Sequence, residues 1–319
     1  MLHAWTPRLG RLMNKAPHSL QGRTCVITGA TSGLGRAAAI ALNRAGANLL
    51  LIGRREKVGQ ALAARLRTCS GSGQVEFLRA DISDQKHVRS LAQSISAKYD
   101  RLDVLINNAG AKFDTFQTSA DGIELTFATN YLGHFLLTAL LVENLVRAEN
   151  GRVITLGSGA HGGISAPTEW YFGPQNYDRK LAYGKSKLAD IVFAYELARR
   201  LGQTRVVSNA VDPGGVATNL GRNNGLIAWF RHLGYYIIKR RLISARRGAE
   251  SVVFLATDAS VDCITGKYFY EKRIVESSAA SCDREAAERL WSLSFRLTNL
   301  EDFGGSALQF VGRSATVLQ

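Results

Sequence analysis

A parallel, doubly wound α/β sheet with helices on both faces is the fold class this sequence predicts, on three observations. Short apolar runs rich in leucine and β-branched residues alternate with helical patterns along most of the chain. A glycine-rich loop falls between the first such run and the first helix. No low-complexity linker or internal repeat divides the 319 residues, so a single domain of about seven strands accommodates them.

The first strand is expected over 24–28, where Thr24-Cys25-Val26-Ile27-Thr28 is apolar enough to be buried on both faces. A helix over 33–45 follows. Strand and helix repeat at 48–52 with 57–67, and at 75–79 with 88–98. A fourth strand over 104–106 precedes a long helix over 123–146. The fifth strand, 152–156, leads to a helix over 182–201, then to a sixth strand at 206–211 and a seventh at 267–270. Right-handed crossovers put the carboxyl ends of all these strands on one edge, where ligands bind.

Residues 1–22 read as a flexible basic arm: Arg8, Arg11 and Lys15 occur there with no acid and no apolar core of a secretory signal. An organelle-targeting leader is the alternative. The domain proper is expected over 23–300, and the tail 301–319, with Gly304-Gly305-Ser306, as loosely held.

A hydrophobic content of 46% argues against disorder. No uninterrupted apolar run approaches the roughly 18–20 residues that span a bilayer. Cys25, Cys69, Cys263 and Cys282 have no paired spacing, which argues against a metal site or disulfide framework and fits a reducing, cytoplasmic setting. The net charge of +14 raises nucleic acid and anionic lipid as partners. Between Asp212 and Glu250 no acid occurs, while Lys239, Arg240, Arg241, Arg246 and Arg247 accumulate near Trp229, Phe230, Tyr235 and Tyr236. The segment 222–247 suits peripheral membrane contact. The preferred reading makes 218–248 a flap whose apolar side covers a pocket. Nucleic acid is disfavoured, because no recognition motif accompanies the charge.

Thr28-Gly29-Ala30-Thr31-Ser32-Gly33-Leu34-Gly35 lies where a strand gives way to a helix. Backbone N–H groups there, with the helix N-terminus, suit a pyrophosphate. The end of the second strand selects the dinucleotide: a carboxylate would repel a 2′-phosphate, and Gly53-Arg54-Arg55 has none. Arg54 can fork a phosphate and Arg36 can add charge, so NADP(H) is the expected cofactor. Asp81, with Ile82 beside it, can cap the next element, receive the adenine amino group, or do both. Asn107-Asn108-Ala109-Gly110 ends the fourth strand with short side chains that let the backbone pass close to a cofactor.

Tyr183 and Lys187 lie one helical turn apart, with Ser158 upstream. A phenol beside an ammonium ionises more easily, and a hydroxyl can hold a substrate oxygen in its reach. Asn130 is a poor helix former inside a helical run and bends it. His134 and His161 are expected to pack or cap. Thr218, after Pro213-Gly214-Gly215-Val216-Ala217, binds a carboxamide or caps the flap.

Together these elements resemble the short-chain dehydrogenase/reductase family, over about 23–300. They are Thr28-Gly29-x-x-x-Gly33-x-Gly35, Asn107-Asn108-Ala109-Gly110, Asn130, Ser158, Tyr183-x-x-x-Lys187 and Pro213-Gly214. Within it the chain is most similar to the retinol dehydrogenase type, through Asn130-Tyr131-Leu132-Gly133-His134-Phe135 and Tyr183-x-x-Ser186-Lys187-Leu188-Ala189. Gly157 stands where a serine is usual, and Asp212 where histidine is common. The resemblance implies a Rossmann-like fold and a catalytic set of four. Tyr183 would exchange the proton, Lys187 lower the tyrosine pKa and hold the nicotinamide ribose, Ser158 fix the carbonyl oxygen, and Asn130 support a relay water. It also implies cofactor contacts at Gly29, Thr31, Ser32, Gly33, Leu34 and Gly35. Others fall to Asn108, Ala109 and Gly110, and to Pro213, Gly214, Val216 and Thr218. Relatives often pair through helices beginning near Ile123 and Ala182, so a homodimer is implied, with packing onto the sheet as the alternative.

The expected function is NADP(H)-dependent interconversion of a carbonyl and an alcohol, in the reductive direction. The aromatic-rich loop 162–181, with Trp170, Tyr171 and Phe172, makes the expected substrate hydrophobic and bulky. Those aromatics packing on the core is the alternative. The rival functions are an idle NADP(H) sensor or membrane-surface adaptor, and a same-fold epimerase or dehydratase.

Overall fold

A computed structural model describes residues 19–69, 73–216 and 243–303. Thr218 and residues 219–242 of the expected flap lie outside them, as does residues 1–18 of the arm.

The alternation holds in the order β1 (Thr24–Thr28), α1 (Gly33–Arg44), β2 (Asn48–Gly53), α2 (Glu56–Arg67), β3 (Val75–Arg79) and α3 (Gln85–Lys98). Then come β4 (Val104–Asn107), α4 (Leu125–Val146), β5 (Arg152–Leu156), α5 (Arg179–Arg200) and β6 (Val207–Asp212). The chain continues with α6 (Ala245–Thr257), β7 (Tyr268–Tyr270), β8 (Arg273–Val275) and α7 (Arg284–Thr298). The sheet order is β3-β2-β1-β4-β5-β6-β7-β8. β1 to β7 pair in parallel, each at a fixed register such as Val26 with Leu50 and Leu105.

The described sheet has eight strands rather than about seven, because β8 folds back antiparallel on β7. Its turn, Glu271-Lys272, takes positive φ at both residues (47° and 63°), the hairpin geometry that matches strand twist. With only three residues, Arg273-Ile274-Val275, the strand is too short for a periodic pattern to register.

The helices cover both faces. On one, α1 and α6 pack a core around Ile27, Leu49, Leu51 and Ile106. On the other, α3, α4, α5 and α7 enclose Phe127, Tyr131, Phe135, Phe193 and Trp291. α4 is long and apolar enough by composition to cross a bilayer, which counting uninterrupted runs did not reveal. However, 89% of its apolar window is buried, as in a core helix. A π turn over Ala128–Leu132 interrupts it around Asn130, the bend expected there.

Both domain boundaries move outward. Leu20 is in the core and its N–H donates to the Ala45 carbonyl at 2.7 Å, so the fold begins before residue 23. Phe303, from the supposedly loose tail, packs against Phe135 and Trp291. The flap boundary at 248 falls inside α6, whose start Ser244 caps by accepting from the Arg247 N–H. In the loop 162–181, Trp170 is buried and Tyr171 lies 5.2 Å from Phe127, so these two rings belong to the core. Residues 179–181 form the first turn of α5.

Candidate active site

The strand order reverses between β1 and β4, and at their carboxyl ends opens a cleft of about 420 Å³. Its floor is the glycine loop locked to the turn after β4. The Thr28 hydroxyl accepts from the N–H groups of Asn108 and Ala109, each at 2.9 Å. Asn108 Nδ2 donates to the Thr28 carbonyl at 2.7 Å. Gly29 takes φ +68°, and a Cβ on it would sit 2.9 Å from Ala109 Cα. A Cβ on Gly35 would meet Asn108 Nδ2 at 2.4 Å. No larger residue fits at either position.

α1 starts beside this floor with no side-chain cap: Ser32 takes the extended N-cap conformation without bonding a backbone N–H. Its first turn therefore offers donors to an anion. Thr31, Ser32, Gly33 and Leu34 line the cleft here, with Asp81 and Ile82 opposite. Arg54 also lines it and pairs with Asp81 at 3.6 Å. Asp81 in turn accepts from the N–H and hydroxyl of Ser83, at 3.0 and 2.8 Å. Arg55 lines it too, and its guanidinium donates to the Thr31 carbonyl at 3.1 Å. Arg36 is exposed on the first turn of α1 and is not among the lining residues. Pro213, Gly214 and Val216 close the far end, where the Gly214 N–H donates to Asp212 Oδ1 at 2.8 Å.

Ser158, Tyr183 and Lys187 line the same cleft as Asn108, Ala109 and Gly110. Ser158 follows β5, and its hydroxyl accepts from the Ala160 N–H at 3.3 Å. α5, 22 residues long, carries the tyrosine and lysine; Asp178 caps it, accepting from the N–H groups of Lys180 and Leu181 at 2.7 and 2.9 Å. Those donors, Leu181 foremost, hold the Asp178 carboxyl below its usual range. Lys187 is buried. Its Nζ donates to the Leu156 carbonyl at 2.7 Å and to Asp190 Oδ2 at 2.6 Å. Burial raises the Asp190 carboxyl to about 7 against the pull of Lys187. The Lys112 ammonium lies 5.5 Å from the Tyr183 ring centroid. Burial, with Arg179 nearby, weakens the hold of Lys112 on its proton.

Asn130 is buried behind the cleft and not in its wall. Its Oδ1 accepts from the Ala111 N–H at 2.7 Å, and its Nδ2 donates to the Ala111 carbonyl and to the Ser186 hydroxyl at 3.0 and 2.9 Å. It thus ties α4 both to the turn after β4 and to α5.

The model of the family described as short chain dehydrogenase matches residues 23–226. The chain belongs to the short-chain dehydrogenase/reductase family. Within that family it falls in the retinol dehydrogenase branch. It is 35% identical to mouse retinol dehydrogenase 12 over 282 residues, 88% of each chain. It is 33% identical to human retinol dehydrogenase 11 over 304 residues, 94% of each. A chloroplastic short-chain dehydrogenase, TIC 32 B of Brassica napus, is 34% identical over 88% of this chain and 91% of its own. Among solved structures, an uncharacterised protein from Mycobacterium paratuberculosis superposes with a TM-score of 0.71 at 32% identity, over 90% and 97% of the two chains. The Pseudomonas aeruginosa RhlG/NADP complex does so at 0.64 and 27% identity, over 80% of this chain and 97% of its own. The protein is therefore an oxidoreductase of the carbonyl/alcohol type, in a family that uses nicotinamide cofactors.

His134 and His161 are both structural in this short-chain dehydrogenase. His134 Nδ1 donates to the Asn130 carbonyl at 2.8 Å, so Nε2 accepts from the Thr28 hydroxyl at 2.9 Å. Burial, then Lys187, lowers its pKa to about 3 and keeps it neutral. His161 Nε2 accepts from the Ser278 N–H at 3.0 Å, and Nδ1 donates to the Ser158 carbonyl at 2.7 Å, steadying the serine. Sequence reasoning assigned Arg55 no role of its own and left Lys112 and Asp190 unremarked. Each had a signal: a second arginine at the strand end, a basic residue two after Gly110, and a carboxylate three after the lysine.

Proposed function

We propose that this protein is an NADP(H)-dependent carbonyl reductase acting on a hydrophobic, fairly bulky aldehyde or ketone. The observation that carries the proposal is one cleft wall shared by Ser158, Tyr183 and Lys187 and continuous with the glycine loop. The fit to a nicotinamide dinucleotide rests on the chain itself. The first turn of α1 lacks a side-chain cap, two glycines admit no Cβ, and Arg54 and Arg55 stand at the end of β2 with no carboxylate on that strand end. Gly29, Thr31, Ser32, Gly33, Leu34 and Gly35 would hold the pyrophosphate, and Arg54 the 2′-phosphate. Asp81 and Ile82 would flank the adenine. Asn108, Ala109 and Gly110 would lie along the adenosine and ribose. Pro213, Gly214 and Val216 would lie by the nicotinamide.

When bound, the cofactor supplies the hydride. Ser158 holds the carbonyl oxygen by its hydroxyl. Tyr183 donates a proton to that oxygen in reduction and takes it back in oxidation. Lys187, beside it on α5, favours the phenolate electrostatically. Asn130 orders the turn after β4 and α5 through its three side-chain bonds. Similarity to retinol dehydrogenases 11 and 12, which are named for an apolar alcohol, supports an apolar substrate.

Replacing Tyr183 by Phe should lower kcat about 10²–10⁴-fold on a panel of aldehydes and ketones that includes retinal and nonanal, followed by NADPH absorbance. Turnover equal to the parent's would refute the assignment.

A further inference from the structure

Tyr183, Lys187 and Asp190 stand at i, i+4 and i+7 of α5, one stripe of the helix. The stripe begins at the cleft and ends in the core, where the Asp190 side chain is 1% exposed. Lys187 has three N–H bonds. One goes to the Leu156 carbonyl and one to Asp190 Oδ2, which leaves one for the cleft that Lys187 lines. Asp190 Oδ1 has no hydrogen-bond partner among the described residues. A buried carboxylate with one idle oxygen is costly, so it is not explained as packing.

The groups that face this pair from other elements are neutral. From α4 come Tyr131, whose hydroxyl shares a bond of 2.6 Å with Ser294 of α7, and His134, which burial and Lys187 keep unprotonated. Among the described residues, Lys187 alone offsets the charge of Asp190. An ammonium held by a carboxylate presents less positive potential to a neighbouring phenol than a lone ammonium would.

We propose that Asp190 is a positioning residue for the reaction: it holds the Lys187 ammonium at the cleft wall and, by its negative charge, sets the pH at which Tyr183 gives up its proton. The proposal rests on the roles given above to Tyr183 and Lys187. Its sign follows from charge alone. Removing the carboxylate favours the phenolate, so the Tyr183 midpoint moves to lower pH.

Tyrosinate absorbance of the full chain, titrated without cofactor, reads this directly, because the parent minus Tyr183→Phe difference isolates Tyr183. Asp190→Asn keeps the shape and one acceptor and should lower that midpoint by about half a pH unit or more. Asp190→Glu, which keeps the charge, should return it towards the parent's. An unmoved midpoint in Asp190→Asn overturns the proposal while leaving Tyr183 and Lys187 in their roles. Should Asp190→Asn fail to fold, Asp190→Ser is held to the same criterion. A parent in which Tyr183 shows no transition below the ordinary tyrosine range sinks both the roles and the proposal built on them.

Discussion

At the scale of single residues, the proposed choice of NADP(H) rests on side chains that reach one end of the cleft. Arg54 is half exposed and only loosely paired with Asp81, so its guanidinium is available to a phosphate. Arg55 is tied to Thr31 and supports the loop instead. Arg54→Asp should therefore raise the NADPH KM about tenfold or more, roughly 1.4 kcal/mol or more, and change the NADH KM much less. Steady-state rates with both cofactors measure the difference, and equal losses would refute the 2′-phosphate assignment. Tyr183 and Lys187 were legible because their spacing puts both on one helix face. Asp190 was not, since a carboxylate three residues from a lysine reads equally well as a solvated pair. Only the 1% exposure separates the two cases. Asn130 was legible as a helix bend, but its partners Ala111 and Ser186 are far from it in sequence.

At the scale of elements, the strands were read nearly residue for residue, because continuous apolar runs such as Val26 and Ile27 leave little choice of boundary. The starts of α3 and α5 were read late, at 88 and 182. α3 begins with Gln85-Lys86-His87 and α5 with Arg179-Lys180-Leu181, first turns made chiefly of polar residues that hydrophobic periodicity does not register. Their caps, Asp84 and Asp178, carried the missing signal. Asp178→Ala should destabilise the protein by about 1 kcal/mol in urea unfolding at pH 7. A carboxyl held below its usual range stabilises above its unfolded pKa near ~3.9, and that contribution fades as pH falls through the lower folded value. The difference between parent and variant should accordingly shrink in strong acid. α6 and α7 went unassigned although Ser244 and Asp283 cap them.

At the scale of the whole molecule, two aliphatic and aromatic cores share one sheet, and two buried titrating groups pull its pH response in opposite directions. His134, at about 3 when folded, is neutral where the unfolded imidazole, near ~6.5, takes a proton. Acidification through that window therefore destabilises. Asp190, raised to about 7, holds a proton that the unfolded carboxyl, near ~3.9, releases, so acidification through its window stabilises. The two slopes oppose each other between roughly pH 4 and 6.5. Asp190→Asn should remove one of them, so that stability falls more steeply on acidification, by up to ~1.4 kcal/mol per unit. Urea midpoints at several pH values measure the slope, and parallel curves for parent and variant would contradict the opposition. The short hairpin strand has a different kind of consequence. Among the described residues, β8 ends one side of the sheet with only three residues, and Arg273 stands at its start. An incoming polypeptide finds almost no template there for edge-to-edge pairing and must strip water from a guanidinium to use it. On that side, resistance to fibrillar stacking in concentrated solution is built into the geometry, despite the exposed Ile274.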